Sequence, residues 1–493
     1  MPDLFLLLLG FVFTVSSISY LALGQRQRDV VLGRLHFRRR RATGALTPPR
    51  SLSPSKKEKI PAAVPTVDFR ELYPPSRRFT LPEIDSKVRP VLAASDDEEA
   101  IDDRPCVPLD ECVDEEERSK FFTPTAFSLE EVVALGDFPD YAGLSGVPLP
   151  AACPEFDINK ALPRPYRPFR WSYHQTMSLM KMDPDYWLEL ENTYVKRIRQ
   201  REELFAKYGE AVLQSLPGSE MACKELMEMC LQFLCARYPH YFRLDTEKMV
   251  FYNRILNTET HIKSMPPLHV ILHNIPEDFG IMLRDPETGL YCFRAGLICS
   301  SLGWNVGTKI GMKLHEIHQP IPDYKEKMQF SMDRYFAKKP TDKPIQRGSW
   351  GLEIDEPLFM PPGDPHEKLR DVQDPEYDIS RCNLRVDWQT LRRLPLSAAV
   401  IFNFKALFTP VENFRNEPYI PSLCLKVLRE GKKNLMEYKN TWHTEHCVIP
   451  ALEAYEQEQV AKGLIPKDWD VHTLDDAPFY PGWEEMWHKA QGF

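Results

Sequence analysis

The chain has little glycine and no closely paired cysteines. Of its 493 residues only 22 are glycine, against 44 prolines. Proline fixes φ and removes a backbone donor, so this balance predicts a loop-rich fold with rigid turns and few long helices. The 11 cysteines are scattered without a CxxC pair. This spacing argues against a disulfide framework and against a zinc or iron–sulfur ligand set, and it favours reduced, mostly buried thiols.

The sequence also lacks the motifs of several familiar enzyme classes. It contains no GxGxxG, GxxxxGK[ST], HExxH or GxSxG, so we expect no flavin or nicotinamide site in this chain. Any redox reaction would therefore need electrons from an external reductase. The folded part shows no concentrated basic surface and the net charge is −9, which argues against nucleic acid as a partner.

A long apolar run opens the sequence. Residues 4–23 carry no charge, and about 20 apolar residues suffice for a helix that crosses a hydrocarbon core of ~30 Å. The arginines of residues 26–41 follow this run, so the positive-inside rule places them on the cytoplasmic side. We therefore predict a transmembrane anchor at residues 1–24 that contacts membrane lipid through residues 4–23. A cleaved signal peptide is the alternative, because Ala22-Leu23-Gly24 resembles a cleavage site.

This topology predicts a single-pass protein of an intracellular membrane, such as the endoplasmic reticulum, with a cytosolic C-terminal body. Residues 25–120 form a basic and then acidic low-complexity segment, which predicts a disordered linker because it has too few apolar residues to bury. The acidic part, residues 94–118, is interpreted as a solvated loop, with a docking patch for a basic partner as the alternative. Residues 121–493 are the predicted folded domain.

Apolar periodicity in the folded domain predicts an α+β fold. Helical spacing predicts helices at 185–208 and 218–237. Runs of branched and aromatic residues predict strands, which we expect to pair in an antiparallel sheet with flanking helices, at 268–275, 279–284, 289–300 and 398–408. The turn Asp285-Pro-Glu-Thr-Gly289 is typical of a hairpin.

Two histidines are the first candidates for chemistry. Residues 304–317 are predicted to form a short helix that ends before Pro320, with His315 and His318 at its end. A neutral imidazole in an apolar pocket is a common haem-iron ligand. The spacing alone fits ordinary structural histidines equally well, and a cationic side chain is also favourable at a helix C-terminus.

Four segments, in order, resemble the haem-dependent oxidative N-demethylase alpha-subunit family. They are PYRPFRWS (165–172), GLICSSLGWNVGTKIGMKLHEIHQPIPDY (296–324), RGSW (347–350) and LRVDWQTLRRLP (384–395). The resemblance covers residues 161–428, which we take as the core of the domain. It implies a PAS-like fold that binds haem b, and oxidative demethylation of a small secondary amine with release of formaldehyde.

The resemblance also implies roles for single residues. His318 matches the histidine of the family's isoleucine-histidine-x-proline motif, so it is the first candidate for the proximal haem ligand, with His315 as the alternative. Cys299 could supply a thiolate, but its apolar strand favours a buried thiol. Trp304 and Trp350 are candidates for the pocket wall, or for ordinary core packing.

Four arginines are candidates to hold the haem propionates, since a guanidinium fork matches carboxylate geometry. We prefer Arg347 and Arg392 among the set Arg347, Arg385, Arg392 and Arg393. Surface ion pairs are the alternative for each of them.

Two departures from the family pattern concern the pocket. Ser349 replaces an asparagine, and Asp387-Trp388 replace glutamate-arginine, so substrate or catalysis could differ while haem binding persists. The sequence thus predicts a haem-binding oxygenase-like protein that acts on a small molecule with O₂ and external electrons. The alternatives are a non-catalytic haem or small-ligand sensor, and a haem-free membrane-tethered interaction protein.

Overall fold

The computed structural model describes residues 73–78, 123–171, 178–285 and 288–492. The predicted anchor at 1–24, the acidic segment at 94–118 and all of the predicted linker except residues 73–78 lie outside the described residues. Within the described ranges, no helix combines the length and the apolar character that a membrane span requires.

Strands in the described part of the chain form two antiparallel sheets. The strands are β1 (Met180–Lys181), β2 (Leu213–Ser215), β3 (Phe242–Asp245), β4 (Val250–Asn253), β5 (Thr258–His261), β6 (Asp278–Arg284), β7 (Tyr291–Leu297), β8 (Ile345–Ile354), β9 (Cys382–Arg393) and β10 (Val400–Pro410). The larger sheet has the order β1–β8–β9–β10–β6–β7–β2, and the smaller has the order β3–β4–β5. The antiparallel sheets of the predicted α+β fold are confirmed, and the three predicted strands at 279–284, 289–300 and 398–408 are β6, β7 and β10.

Helices flank the larger sheet. They are α1 (Leu129–Leu135), α2 (Tyr141–Ser145), α3 (Tyr194–Tyr208), α4 (Glu220–Arg237), α5 (Pro267–Asn274), α6 (Val306–Lys309), α7 (Leu314–Ile317), α8 (Tyr324–Lys327), α9 (Gln329–Lys338), α10 (Pro365–Leu369), α11 (Ile420–Glu430), α12 (Lys433–Lys439), α13 (Trp442–Ala461) and α14 (Trp483–Gln491). The predicted helix at 218–237 is confirmed as α4.

The predicted strand at 268–275 is wrong, because this segment is helix α5. Pro267 occupies the first helical turn, where its fixed φ favours a helix and its missing N–H is not needed. A short apolar run is ambiguous between a buried strand and a buried helix. The adjacent burial of Val270, Ile271 and Leu272 shows that this run is enclosed on several sides.

The predicted helix at 185–208 begins only at Tyr194. The residues before it are held by tertiary hydrogen bonds. The N–H of Glu189 donates to Glu277 Oε1 at 3.0 Å, and the N–H of Leu190 donates to Tyr238 Oη at 3.2 Å. These N–H groups are therefore not available to a helix, although the helical spacing of apolar residues includes this segment.

The two faces of the larger sheet carry different clusters. We name the front face by Ile345, Leu391 and Phe402, which are directly paired across β8, β9 and β10. The back face carries the alternate positions, such as Trp350 and Arg392, because successive strand side chains point to opposite faces.

Helices cover both faces through three apolar clusters. One cluster packs the back face against α3, α4 and α5, and another packs it against α11 and α13. A third cluster on the front face packs Leu391, Val400 and Phe404 against residues of α7, α8 and α9. The front face is therefore the one that meets the histidine segment.

Candidate functional site

The histidine segment is two short helices instead of the single helix predicted at 304–317. Helices α6 and α7 are separated at Gly311, whose φ is +80°. The N–H of Gly311 donates to the carbonyl of Phe293 at 2.7 Å, and the N–H of Phe293 donates to the carbonyl of Met312 at 2.9 Å. Strand β7 thus forms hydrogen bonds with backbone groups that would otherwise have continued the helix.

His318 lies directly after α7 in an orientation set by a backbone hydrogen bond. Its Nδ1 is 2.7 Å from the carbonyl oxygen of Leu314. A carbonyl only accepts, so Nδ1 carries the hydrogen and Nε2 keeps a lone pair. No described residue forms a hydrogen bond with Nε2, and the ring stacks on Tyr324 with centroids 5.2 Å apart.

The surroundings of His318 keep the imidazole neutral. Burial lowers the pKa of His318 to about 4, and the positive charges of Arg347 and Lys309 lower it further. Leu314, Ile317 and Tyr324 belong to the front-face cluster. His318 is therefore a neutral base at pH 7, with one ring nitrogen available.

The other predicted residues near His318 are Trp304 and His315. The Trp304 ring centroid is 6.0 Å from that of His318, and Lys309 Nζ is 5.0 Å from the Trp304 ring. His315 lies within α7, and its buried Nδ1 has no hydrogen-bond partner among the described residues. Two of the predicted residues thus accompany His318, and His315 remains the alternative ligand.

Several polar side chains on the front face are partly exposed to solvent although they lie on inner strands. Arg347 pairs with Gln389 across β8 and β9, and Ser349 pairs with Asp387. All four side chains are only half-buried. Gln389 Oε1 is enclosed and accepts no hydrogen bond from a described residue. This part of the face is therefore not covered by the apolar cluster that surrounds His318.

A cationic cleft continues from Arg347 around the outer edge of β8. β1 pairs only with Ile345 and Gln346, so the edge at residues 347–350 is left to other side chains. The cleft holds about 500 Å³ of space, part of it open to solvent, and Arg170, Arg347 and Lys439 line it. Two guanidinium groups and a lysine side chain in one cleft favour an anionic ligand.

Trp350 lies in this cleft and not beside His318. Its indole packs against Phe169 with centroids 4.9 Å apart, and its buried Nε1 has no hydrogen-bond partner among the described residues. Lys439 Nζ donates to the carbonyl of Trp350 at 3.0 Å and lies 4.4 Å from the indole. Burial and the charge of Arg347 lower the pKa of Lys439 to about 7.

The preferred pair of arginines is divided between the two faces. Arg347 is on the front face, close enough to lower the pKa of His318. Arg392 is on the back face, with its guanidinium carbon 4.2 Å from the centroid of the Trp187 ring. The structure does not bring Arg392 to His318, because neighbouring strand residues point to opposite faces and Leu391 takes the front position.

The remaining candidates are engaged in the fold. Arg393 donates to Tyr291 Oη and to the carbonyl of Ala398, each at 2.8 Å. Arg385 donates to the carbonyls of Ser300 and Pro357. Cys299 is buried, and burial raises the pKa of its thiol to about 12, so the thiol stays protonated.

Sequence reasoning missed Arg170, Gln389 and Lys439. The signal for Gln389 was present, because it lies an even number of residues from Arg385 and Leu391 in a strand and therefore shares their face. Arg170 and Lys439 had no such signal. Arg170 lies 177 residues before Arg347 and Lys439 lies 92 residues after it, and only the fold brings them to the cleft.

A comparison with protein families gives one match. The family model described as haem-dependent oxidative N-demethylase, alpha subunit-like, matches residues 178–449, which is more than half of the chain. The matched range contains His318, the cationic β8 edge and both long central strands. The chain therefore belongs to the haem-dependent oxidative N-demethylase alpha-subunit-like family.

Proposed function

We propose that this protein binds haem b through Nε2 of His318 and oxidatively demethylates a small amine, with O₂ and electrons from an external reductase. The observation that carries the proposal is the state of His318. Its imidazole is neutral, its Nδ1 is fixed on the Leu314 carbonyl, and no described residue occupies its Nε2. A histidine iron ligand needs this tautomer, with the second nitrogen held by a carbonyl or carboxylate.

The side chains around His318 are of the kinds that would hold a haem. The ring of Tyr324 stacks on the imidazole, and Leu391 and Phe404 of the front-face cluster would provide apolar contact on the sheet. The two haem propionates would be held by Arg347 together with Arg170 and Lys439 in the cationic cleft. Arg392 has no part in this arrangement because it points away from the front face.

Bound haem would supply the activation of O₂, while the chain would supply the histidine that holds it, the electrostatics of the site and the access of substrate. Gln389 Oε1 is an unused acceptor on the front face, and Asp387 is a half-buried carboxylate beside it that accepts from Arg385 at 2.7 Å. We propose that these two groups orient the N–H of a protonated small amine. The amide of Gln389 would then take the role left open by Ser349, which replaces the family's asparagine.

We also propose that residues 4–23 tether the protein to an intracellular membrane, with the body in the cytosol where a reductase can reach it. The apolar run and the arginines that follow it support this topology. Protease added to sealed microsomes should digest the body, and a protected body would contradict the cytosolic orientation.

The haem ligand is tested with the full chain, expressed with a haem precursor and purified in detergent. The wild-type protein should show a Soret band, and His318→Ala should lose or shift it. Added imidazole should restore the band in His318→Ala, because a free imidazole can occupy the vacated position. His315→Ala is the matched control, because His315 lies in the four-residue helix that His318 directly follows, and it should keep the wild-type spectrum.

Other outcomes separate the alternatives. A wild-type spectrum in His318→Ala with a lost band in His315→Ala would move the ligand to His315. The absence of a Soret band in reconstituted wild-type protein would favour a haem-free interaction protein. A haem-loaded protein that releases no formaldehyde from small secondary amines, with O₂ and a reductase present, would favour a sensor.

A further inference from the structure

A second cavity lies behind the sheet, on the side opposite His318. It is a narrow cleft bounded by α2, α4 and the segment that follows α2, and the space between its walls is about 340 Å³ when the open solvent at its mouth is included. Its walls are mostly apolar and include Val147, Met182, Met229 and Phe233. Arg392 is the one charged side chain among the described residues that line it.

The Arg392 guanidinium is buried without an acceptor in the part of the chain that the structure describes. Its side chain is 5% exposed, its Nε is enclosed without a partner, and no hydrogen bond joins the guanidinium to a described residue. Burial lowers the pKa of Arg392 to about 10, so the group is still charged at neutral pH. A buried cation that lacks an acceptor is costly, and a bound anion or ordered water would relieve that cost.

The other unpaired group at this cavity is also a donor. Trp187 Nε1 is enclosed and has no acceptor among the described residues. The nearby carboxylates are committed elsewhere. Glu225 accepts from the N–H groups of Leu396 at 2.6 Å and Ser397 at 2.8 Å, and Glu228 accepts from Tyr141 Oη at 2.6 Å. The cavity thus presents two donors and a positive charge.

We propose that this cavity binds a short-chain aliphatic carboxylate, with its oxygens on Arg392 and Trp187 and its hydrocarbon tail against the apolar walls. A guanidinium fork matches the two oxygens of a carboxylate. Met182, Met229 and Phe233 provide an apolar surface for the tail. The site does not depend on haem, because the sheet separates it from His318.

Binding of butanoate to the full chain tests the proposal, by titration calorimetry and by ligand-observed NMR. Butanoate should bind saturably, whereas butan-1-ol, which lacks the charge, and butylamine, which reverses it, should not. Arg392→Met should weaken butanoate binding by about tenfold or more, because it removes the charge and the fork. Leu149→Trp, at the exposed mouth of the cavity, should also weaken it while leaving the charge in place.

Arg347→Ala is the matched control, because it removes an arginine from the other face of the same sheet. It should leave butanoate binding unchanged. Equal binding by wild type and Arg392→Met would overturn the proposal, and so would loss of binding in Arg347→Ala alone, which would place the carboxylate in the cationic cleft. No binding at millimolar butanoate would also overturn it and leave Arg392 as a group hydrated by ordered water. If Arg392→Met does not fold, Arg392→Lys and Leu149→Trp decide between these outcomes.

Discussion

Burial lowers the pKa of both His318 and His443 to about 4, but the two imidazoles have different hydrogen-bonding partners. His318 uses Nδ1 on a carbonyl and leaves Nε2 available. His443 is 1% exposed, and neither of its ring nitrogens has a hydrogen-bond partner among the described residues. Glu353 Oε2 lies 3.9 Å from His443 Nε2, but Glu353 is already paired with Arg370. Burial is therefore common to both histidines, whereas among the described residues a backbone hydrogen bond that orients the ring is found at His318 and not at His443.

His443 should make the haem-free protein less stable in mild acid. Burial and the charge of Arg370 lower its pKa to about 4, whereas an unfolded histidine titrates near ~6.5. Between these values the unfolded state takes a proton that the folded state does not, so stability falls as the pH drops from ~6.5 towards 4. His443→Phe should reduce this loss by on the order of 2–3 kcal/mol. Urea unfolding at pH 7 and pH 4.5 measures the difference.

His261→Gln is the control for this experiment, because it removes a histidine from the surface instead of the core. A wild-type pH dependence in His443→Phe would contradict the argument. The lowered pKa of His318 also makes the folded state less stable in acid. His443→Phe should therefore flatten the pH dependence of stability without abolishing it.

At the scale of elements, the position of His318 is set by two anchors on the strands. Asp278 accepts from the N–H groups of Cys299 at 2.9 Å and Ser300 at 2.7 Å, and it pairs with Arg201 of α3 at 2.5 Å. This carboxylate fixes the start of the histidine segment. The pairing of Gly311 with β7 fixes its middle, and α7 then places His318 against the front face.

Gly311→Ala should therefore affect both stability and haem retention. The φ of Gly311 is +80°, and an added Cβ would meet no atom closer than 4.0 Å, so the cost comes from the backbone alone. We expect a loss of about 1 kcal/mol in the free energy of unfolding. We also expect faster transfer of haem to an apo-globin acceptor, because the substitution strains the link between α6 and α7.

Gly463→Ala is the matched control. Gly463 also has a positive φ, +68°, with no atom within 4 Å of an added Cβ, but it follows α13, far along the chain from His318. It should show a similar loss of stability with an unchanged rate of haem transfer. Equal haem transfer rates in the two variants would mean that the α6–α7 link does not position the ligand.

For the whole molecule, the segment before the family match is joined to the segment that follows it. Thr473 Oγ1 donates to the carbonyl of Trp171 at 2.7 Å, and Trp487 Nε1 donates to the carbonyl of Leu162 at 2.9 Å. Within the C-terminal part, Gln459 Nε2 donates to three carbonyls, including that of Glu417 at 2.9 Å. The fold therefore extends beyond both limits of the family match and beyond the predicted core at 161–428.

A protein that ends at Ile449, the last residue of the family match, should not fold cooperatively. This truncation divides α13 and removes the buried residues Leu452, Tyr455 and Gln459. The apolar cluster that packs the back face against α11 and α13 would then be open to solvent. Thermal unfolding followed by circular dichroism should show a broad, low-amplitude transition, because the packing of this cluster is lost.

The comparison protein lacks residues 1–72, all of which lie outside the described residues, and it should unfold in a single sharp transition. A sharp transition in the protein that ends at Ile449 would show that the C-terminal 44 residues are dispensable for the fold.

The sequence by itself determined the family, the strands β6, β7 and β10 and the histidine segment, because these depend on local motifs and on residue patterns within one element. His318 could be named from its motif, and β10 from its apolar alternation. Only the tertiary structure decided that residues 268–275 are a helix and that β7 divides the segment at 304–317. It also decided that Arg347 and Arg392 point in opposite directions, while Arg170 and Lys439 join Arg347. Each of these outcomes depends on hydrogen bonds and packing between residues distant in the sequence, and periodicity within one segment carries no information about them.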